Sequence, residues 1–521
     1  MLLYHMINLN DVIFLTKNEK MRVLIIFVII QAVNIIELDA QNLNQSDQES
    51  HLILLDSFLS IPNNGQYLDH IEQNIDWLSE EFKNLGFTIH LLESKGNPLF
   101  YAERKFNQNL PTVLFYMHFD GQPVDSTQWD QKNPYDPVYK RKSESGNWQL
   151  ISNDVPKPPY NENWRVFARS ASDDKGPIVM LLAALHEIEN ELLTPKFNIK
   201  VILDSEEELG SPNLLDVVQS YNTMLKSDYL VVADGPMHDS GNPTLKFGNR
   251  GITTISMEIY GPNFSQHSGH YGNYAPNPVF RAANLLSTMK DANGRVIIPG
   301  FYDNVRLGKV ALMELSKVPD KEEDIRNRAG FAIPEKVGSN YQEAMQYPSL
   351  NVRGIRAGWV GSEARTIVPD KVTIEMDIRT VPETDGESLV NHVKTHVSDQ
   401  GFTILNKPPS LHQMLEIEKP LFFKYKVLMY PFRTQMDSDL GHWLSESLQK
   451  AHQKEVIKIR ISGGSLPLSF IINELEIPAV LVPLVNPDNN QHSPNENLRI
   501  GNYFDGIHSL KTILLNPIII D

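Results

Sequence analysis

Between residues 67 and 87 apolar side chains recur at helical spacing, with Ile71, Ile75, Leu78, Phe82 and Leu85 on one stripe, and the extended run Thr88 to Leu92 follows. The pattern predicts a helix leading into a strand. Four short apolar runs, Thr112 to Met117, Ile199 to Leu203, Tyr229 to Ala233 and Ala479 to Val482, show no polar alternation. Strands of that kind are buried on both faces, as in a parallel sheet covered by helices. Pro177 stands where the first turn of a helix tolerates proline, and Ile178 to Leu193 continues with apolar residues and strong helix formers. Asp173, Asp174, Lys175 and Gly176 therefore sit at the start of a largely buried helix.

From about residue 245 to residue 407 the texture changes. Ile255 to Ile259 and Val372 to Arg379 alternate apolar and polar, the mark of an antiparallel sheet with one wet face. Helical runs Pro278 to Met289 and Glu387 to Val397, the latter with Leu389, Val393 and Val397 on one stripe, are suited to cover its dry face. The expected architecture is α/β: a mostly parallel-sheet domain in two parts, 46–244 and 408–521, interrupted by a smaller α+β domain at 245–407. The Pro/Asn/Lys-rich stretch Lys140 to Trp164 is expected to be a surface excursion.

A chain of 521 residues is long enough for the two domains this pattern implies. The formal charge of −17 is spread along the sequence and the basic residues form no long run, which argues against a nucleic-acid surface. Having no cysteine, the chain has no disulfide, no Cys-ligated zinc and no thiol nucleophile, so any metal must be held by His and carboxylates. Met21-Arg22 precedes the apolar run Val23 to Ile30, and Ala40-Gln41 is a plausible cleavage point. Residues 1–45 are thus expected to be a signal peptide and extension, directing the protein to secretion or the periplasm; an upstream extension of a cytoplasmic protein is the alternative. The run falls short of the roughly 20 residues that span a bilayer, so no stable membrane span is expected.

The chemistry gathers at strand ends, where open α/β sheets place their ligands. His118-Phe119-Asp120 ends the first apolar run, and Asp120 is placed to orient the imidazole. Asp173 and Asp174 open the buried helix. Glu206, Glu207 and Glu208 follow the second run, where like charges repel unless a cation sits among them. Asp234 ends the third run, and His492 to Glu496 follows the fourth. Singly, each has an ordinary explanation: a surface histidine, helix-capping aspartates, a solvated acidic loop. Five such segments on one edge of one sheet point instead to a shared metal cluster.

In order along the chain, His118-x-Asp120, Ser172-Asp173-Asp174-Lys175-Gly176, Glu207-Glu208 before Gly210-Ser211, Asp234, His267-Ser268-Gly269, Thr366-Ile367-Val368-Pro369, Gly463-Gly464-Ser465-Leu466-Pro467 and His492-Ser493-Pro494-Asn495-Glu496 resemble the M20 family of metallopeptidases. The likeness runs from about residue 50 to the end. It implies two divalent ions per subunit, zinc first and manganese or cobalt as alternatives. One ion would be held by His118 and Asp234, the other by Glu208 and His492, with Asp173 bridging. The resemblance makes Glu207 the general base and Asp120 the partner of His118. It makes Arg379, with Thr366, Gly464 and Ser465, the grip on a substrate carboxylate. It makes His267 a residue that reaches the neighbouring subunit's site, hence a homodimer through the inserted domain. The implied substrate is a dipeptide or short peptide with a free C-terminus; an N-acyl amino-acid deacylase is the alternative. A metal-dead binding module would lack a ligand or the base, and none is missing. The family often has Gly-Arg-Gly ahead of its bridging aspartate, whereas this chain has Ala168-Arg169-Ser170.

Overall fold

The computed structural model describes residues 47–519, so the leader expected in residues 1–45 lies outside the described residues. The four continuous apolar runs form adjacent parallel strands, in the order Asn198–Asp204, Thr112–His118, Tyr229–Val232 and Ala479–Leu481, within an eight-stranded sheet. Leu99–Arg104 and Thr88–Leu92 add antiparallel strands on one side. On the other, Thr244–Lys246 meets Ala479–Leu481 antiparallel and carries Ile457–Ile459 parallel to itself. The sheet is therefore mixed, with a parallel centre.

Period-two geometry divides each central strand between two cores. Val113, Phe115 and Met117 pack with residues of the helices Leu68–Asn84, Lys175–Asn190 and Ile500–Leu515; Leu114 and Tyr116 pack with residues of Leu214–Ser220 and Leu468–Leu475. Burial on both faces is the reason these strands carry no polar alternation.

In the inserted domain Gly251–Tyr260 pairs antiparallel with both Lys371–Thr380 and Pro420–Met429, and Ser349–Arg356 and Thr403–Leu405 complete five strands. Val372, Ile374, Met376 and Ile378 face Leu285, Leu389 and Val393 of the covering helices Pro278–Ser287 and Gly386–Asp399. The boundary expected at residue 407 is displaced. Pro408-Pro409 lies in the loop before a short helix, Leu411–Glu416, and Leu421 and Phe423 of the next strand still face the inserted core. The two crossings between domains lie side by side as Gly248–Asn249 paired with Phe432–Arg433. Insertion thus begins after Phe247 and ends near Arg433.

The stretch Lys140 to Trp164 is also more ordered than its composition suggests. Val138–Lys142 pairs with Trp148–Ser152 and with Arg165–Phe167, which in turn pairs with Asn497–Arg499. Tyr139 is fully buried and donates its hydroxyl to Asp56 Oδ1 at 2.8 Å. This four-stranded sheet brings the loop before Asp173 against the loop that carries His492. Among the described residues no helix is long and apolar enough to cross a membrane.

Candidate metal centre

The carboxyl ends of the parallel strands meet at one edge. His118 closes its strand, Asp234 follows Val232 by two residues, and Glu207–Leu209 forms a single 3₁₀ turn beyond Asp204. Asp173 precedes the helix Lys175–Asn190. A Cβ at Gly176 would stand 2.2 Å from the Ala171 carbonyl oxygen, so the Asp173 loop can fold back on the helix start only with glycine there.

His118 Nε2 lies 3.0 Å from Asp173 Oδ1. His492 Nε2 lies 3.0 Å from Asp173 Oδ2 and 3.3 Å from Glu208 Oε2. Two sets of ligand atoms result, His118 with Asp173 and Asp234, and Asp173 with Glu208 and His492, each set lying within 4.8 Å. Asp173 belongs to both. Nitrogen and carboxylate oxygen donors in threes fit zinc, and the oxygen-rich composition also accepts manganese or cobalt.

The charges of these groups are strongly interdependent. Burial pushes the Asp173 carboxyl up, but hydrogen bonds and charge from His118 and His492 outweigh it and hold it well below the usual range. The Asp173 carboxylate in turn raises His492 to about 9 against its partial burial. Burial and the Asp173 charge raise Glu208 to about 7. For Asp234 burial and the same neighbour act together, again upward. Burial pushes Glu207 well up, reinforced by Asp234, Glu208 and Asp120 against the pull of His118. Crowded acids in a dry site are what a bound cation relieves.

A supporting layer fixes the ligands. Asp120, fully buried, lies with Oδ1 3.4 Å from His118 Nδ1 and accepts the backbone N–H groups of Glu207 and Glu208 at 3.1 Å each. It orients the imidazole and also the acidic turn. Gln122 Nε2 donates to Glu208 Oε2 at 2.7 Å, and Gln491 Nε2 to Asp173 Oδ2 at 3.2 Å. Three residues of the loop around His492, namely Asn490, His492 and Asn495, hold left-handed φ values of 57°, 61° and 60°. Such values are costly for residues with a Cβ and persist because surrounding bonds impose them.

Glu496 is the keystone of this layer. Its carboxylate is fully buried and accepts Arg169 Nη1 at 2.7 Å and the backbone N–H groups of Ser170, Ser172 and Asp173 at 3.0 Å. Ser170, standing at the family's glycine position, has φ 62° and is held by Asn63 Nδ2 at 2.9 Å. Glu496→Gln places an amide NH₂ against N–H donors. We expect it to weaken zinc binding about 10- to 100-fold, measured by competition with a chromogenic chelator.

Sequence reasoning singled out Gln491 and Glu496 only as members of the Asn490 to Glu496 segment, and it missed Gln122, which meets Glu208, and Lys246, which lines the cavity. A glutamine beside a ligand carries no sequence signal of its own. The structure brings Arg379 to Ser465, whose Oγ accepts from Nη1 at 2.9 Å and donates to the Arg250 carbonyl at 2.5 Å. Ser465 and Gly464 line a cavity of about 930 Å³ shared with Asp173, Glu207, Glu208, Asp234 and His492. His267 and Thr366 come together elsewhere. Gln266–His267 pairs with Ile367–Val368, just after Thr366, and Ser268 N donates to the Thr366 carbonyl at 3.0 Å, but neither His267 nor Thr366 lines this cavity.

Ligand sets sharing one aspartate, a buried acid beside them and an inserted domain flanking the cleft define a metal-dependent hydrolase. The model of peptidase family M20/M25/M40 matches residues 114–516, and the chain belongs to that family of metallopeptidases. A Cys-Gly metallodipeptidase of Candida albicans is 25% identical over 491 residues, 87% of this chain and 90% of its own. The human Beta-Ala-His dipeptidase is 24% identical over 421 residues, 78% of this chain and 75% of its own. Among solved structures, an M20 family metallo-carboxypeptidase from Sulfolobus solfataricus superposes with TM-score 0.71 at 28% identity, covering 90% of this chain and 99% of that one. Human carnosine dipeptidase 1 gives 0.67 at 21% identity, covering 90% and 96%.

Proposed function

We propose that this metallopeptidase hydrolyses dipeptides, or short peptides, that end in a free carboxylate. The observation that carries the reading is Glu207. Its carboxylate lines the cavity beside both ligand sets yet belongs to neither, and its side chain makes no hydrogen bond or ion pair among the described residues, while Glu206 is turned away onto Asn97 and Asn213 and Glu208 onto His492 and Gln122. A pair of divalent ions, zinc before manganese or cobalt, would supply a lowered water pKa and polarisation of the amide carbonyl when bound. Glu207 takes the proton of the attacking water and delivers it to the leaving amine. His118 and Asp234 would hold one ion and Glu208 and His492 the other, with Asp173 belonging to both sets.

Arg379 offers its fork to the terminal carboxylate, seated by Ser465 and the Gly464 turn. The Candida relative is named for Cys-Gly and the human one for Beta-Ala-His, and both are dipeptides with a free terminus. Hydrolysis of a dipeptide and N-acyl amino-acid panel with zinc, manganese and cobalt tests the reading; cleavage of acyl amino acids alone would replace it with the deacylase alternative.

His267 is exposed and turned from its own cavity, beside Thr366, with Phe264, Tyr274 and Phe280 also exposed. We assign these residues to a homodimer in which His267 and Thr366 complete the neighbouring subunit's site, where an imidazole stabilises the oxyanion. Mixing inactive Glu207→Gln and His267→Ala proteins should then restore part of the activity through hybrid dimers. No recovery in a mixture shown to exchange subunits removes the shared site.

A further inference from the structure

Folding rarely leaves a lysine head in a dry place without an acceptor, because an ammonium carries three donors and a strong hydration shell. The buried Lys175 and Lys200 obey that rule. Lys175 Nζ donates to the carbonyls of Phe58 and Ile61 at 2.8 and 2.7 Å, and Lys200 Nζ to those of Met224 and Lys226 at 2.7 and 2.6 Å. Lys246 is different. It ends the strand Thr244–Lys246 on the wall of the catalytic cavity, and among the described residues its Nζ makes no hydrogen bond and no ion pair.

Lys246 is half-buried and faces the cavity, where a substrate group can reach it. Asp234 is the acid that acts on Lys246, but its carboxylate faces His118 and Asp173 within the ligand set. Burial lowers the ammonium below the usual lysine range, and the nearby Asp234 acts in the opposite direction. Gly235, at φ 83°, leaves the space beside the head open, and a Cβ there would stand 3.5 Å from Nζ. The terminal-carboxylate grip at Arg379 is separate and already seated on Ser465.

We propose that Lys246 is a specificity-determining residue that selects substrates bearing a second carboxylate in addition to the C-terminal one. The inference rests on the peptidase reading above. The second carboxylate comes either from an acidic side chain or from a dicarboxylic acyl group, and both present the same anion to the same ammonium. Substrates with a lysine or arginine side chain near Lys246 are disfavoured by like charge.

The test compares kcat/KM within isosteric pairs, Glu-Ala against Gln-Ala and Ala-Glu against Ala-Gln, with N-succinyl-alanine against N-butyryl-alanine, for the zinc-loaded enzyme and its Lys246→Met and Lys246→Arg variants. An ammonium–carboxylate hydrogen bond in a half-buried cleft predicts roughly a ten-fold preference for the acid in at least one pair. Lys246→Met should erase the preference and Lys246→Arg should keep it; the pair that shows it tells which source supplies the anion. Because each ratio is taken within one protein, loss of folded material cancels. Calorimetric binding of the acidic and neutral products gives a readout that needs no turnover. Equal rates on acid and amide in the wild type overturn the role of Lys246 and leave the peptidase standing, as does a Lys246→Met effect equal on both members. Absence of turnover on every dipeptide and acyl amino acid overturns both.

Discussion

Glu207→Gln should lower kcat by about 10²- to 10⁴-fold with little change in KM, the range for loss of a general base. The replacement keeps the shape and removes the proton acceptor. Because the Glu207 side chain is outside both ligand sets, zinc content should remain that of the wild type. A drop in kcat alone, with metal content preserved, separates a proton-transfer role from a ligand role. Full activity in a metal-loaded Glu207→Gln protein would falsify the assignment. Burial, reinforced by Asp234, Glu208 and Asp120 against the pull of His118, raises the Glu207 carboxyl and so strengthens it as a proton acceptor.

The acidic turn shows how one local device separates three adjacent acids. Glu206 accepts Asn97 N and Asn213 Nδ2, while Asp120 receives the two following amides, so Glu207 and Glu208 are presented to the cavity and Glu206 is not. By residue type the three glutamates are equivalent, and only the family resemblance assigns Glu207 and Glu208 different roles. In space the clamp from a strand end 87 residues away distinguishes them.

Legibility followed the physics in each region. The four central strands could be read because burial on both faces leaves an unbroken apolar run, and Lys371–Thr380 because one wet face imposes strict alternation. Pro420–Met429 defeated the pattern. In its second half Lys424, Tyr425 and Lys426 are all exposed, with the Lys394 side chain lying over the Tyr425 ring, so alternation breaks. The hairpin within Lys140 to Trp164 was hidden by its polar composition, although Tyr139 and Lys140 are buried.

At the site the ligand residues were visible as strand-end acids and imidazoles, and their grouping into two sets only through the family resemblance. His492 sits in a loop with three left-handed residues that no hydrophobic period can encode. Gln122, Gln491 and Lys246 matter through what they meet in space, and spacing along the chain gives no hint of those meetings. The Arg169–Glu496 pair is of the same kind, joining residues 327 apart.

Zinc binding to metal-stripped protein should release protons, and its apparent affinity should rise with pH between about 6 and 9. The sign follows from the raised values of Glu208, about 7, and His492, about 9. Below those values both groups hold a proton that a ligand must give up. At pH 6 both are largely protonated; at pH 8 Glu208 is mostly free and only His492 still competes. The same ionisation of Glu208 sets acid against acid around Asp173 when no cation is added, so stability of the stripped protein falls as pH rises through about 7, the direction expected for a carboxyl whose folded pKa lies above its unfolded one. Zinc should therefore raise Tm more at pH 8 than at pH 6. Calorimetry in buffers of different ionisation enthalpy counts the protons directly, and a zinc affinity flat across this range argues against ligation by Glu208 and His492. Asp173→Asn carries the larger consequence. Asparagine keeps one carbonyl oxygen but no charge, and Asp173 is the member common to both sets. Both ions should be bound weakly, with stoichiometry below two under conditions that saturate the wild type, and activity should fall at least as far as in Glu207→Gln; a variant that still retains two ions would show that the sets are not bridged by this carboxylate.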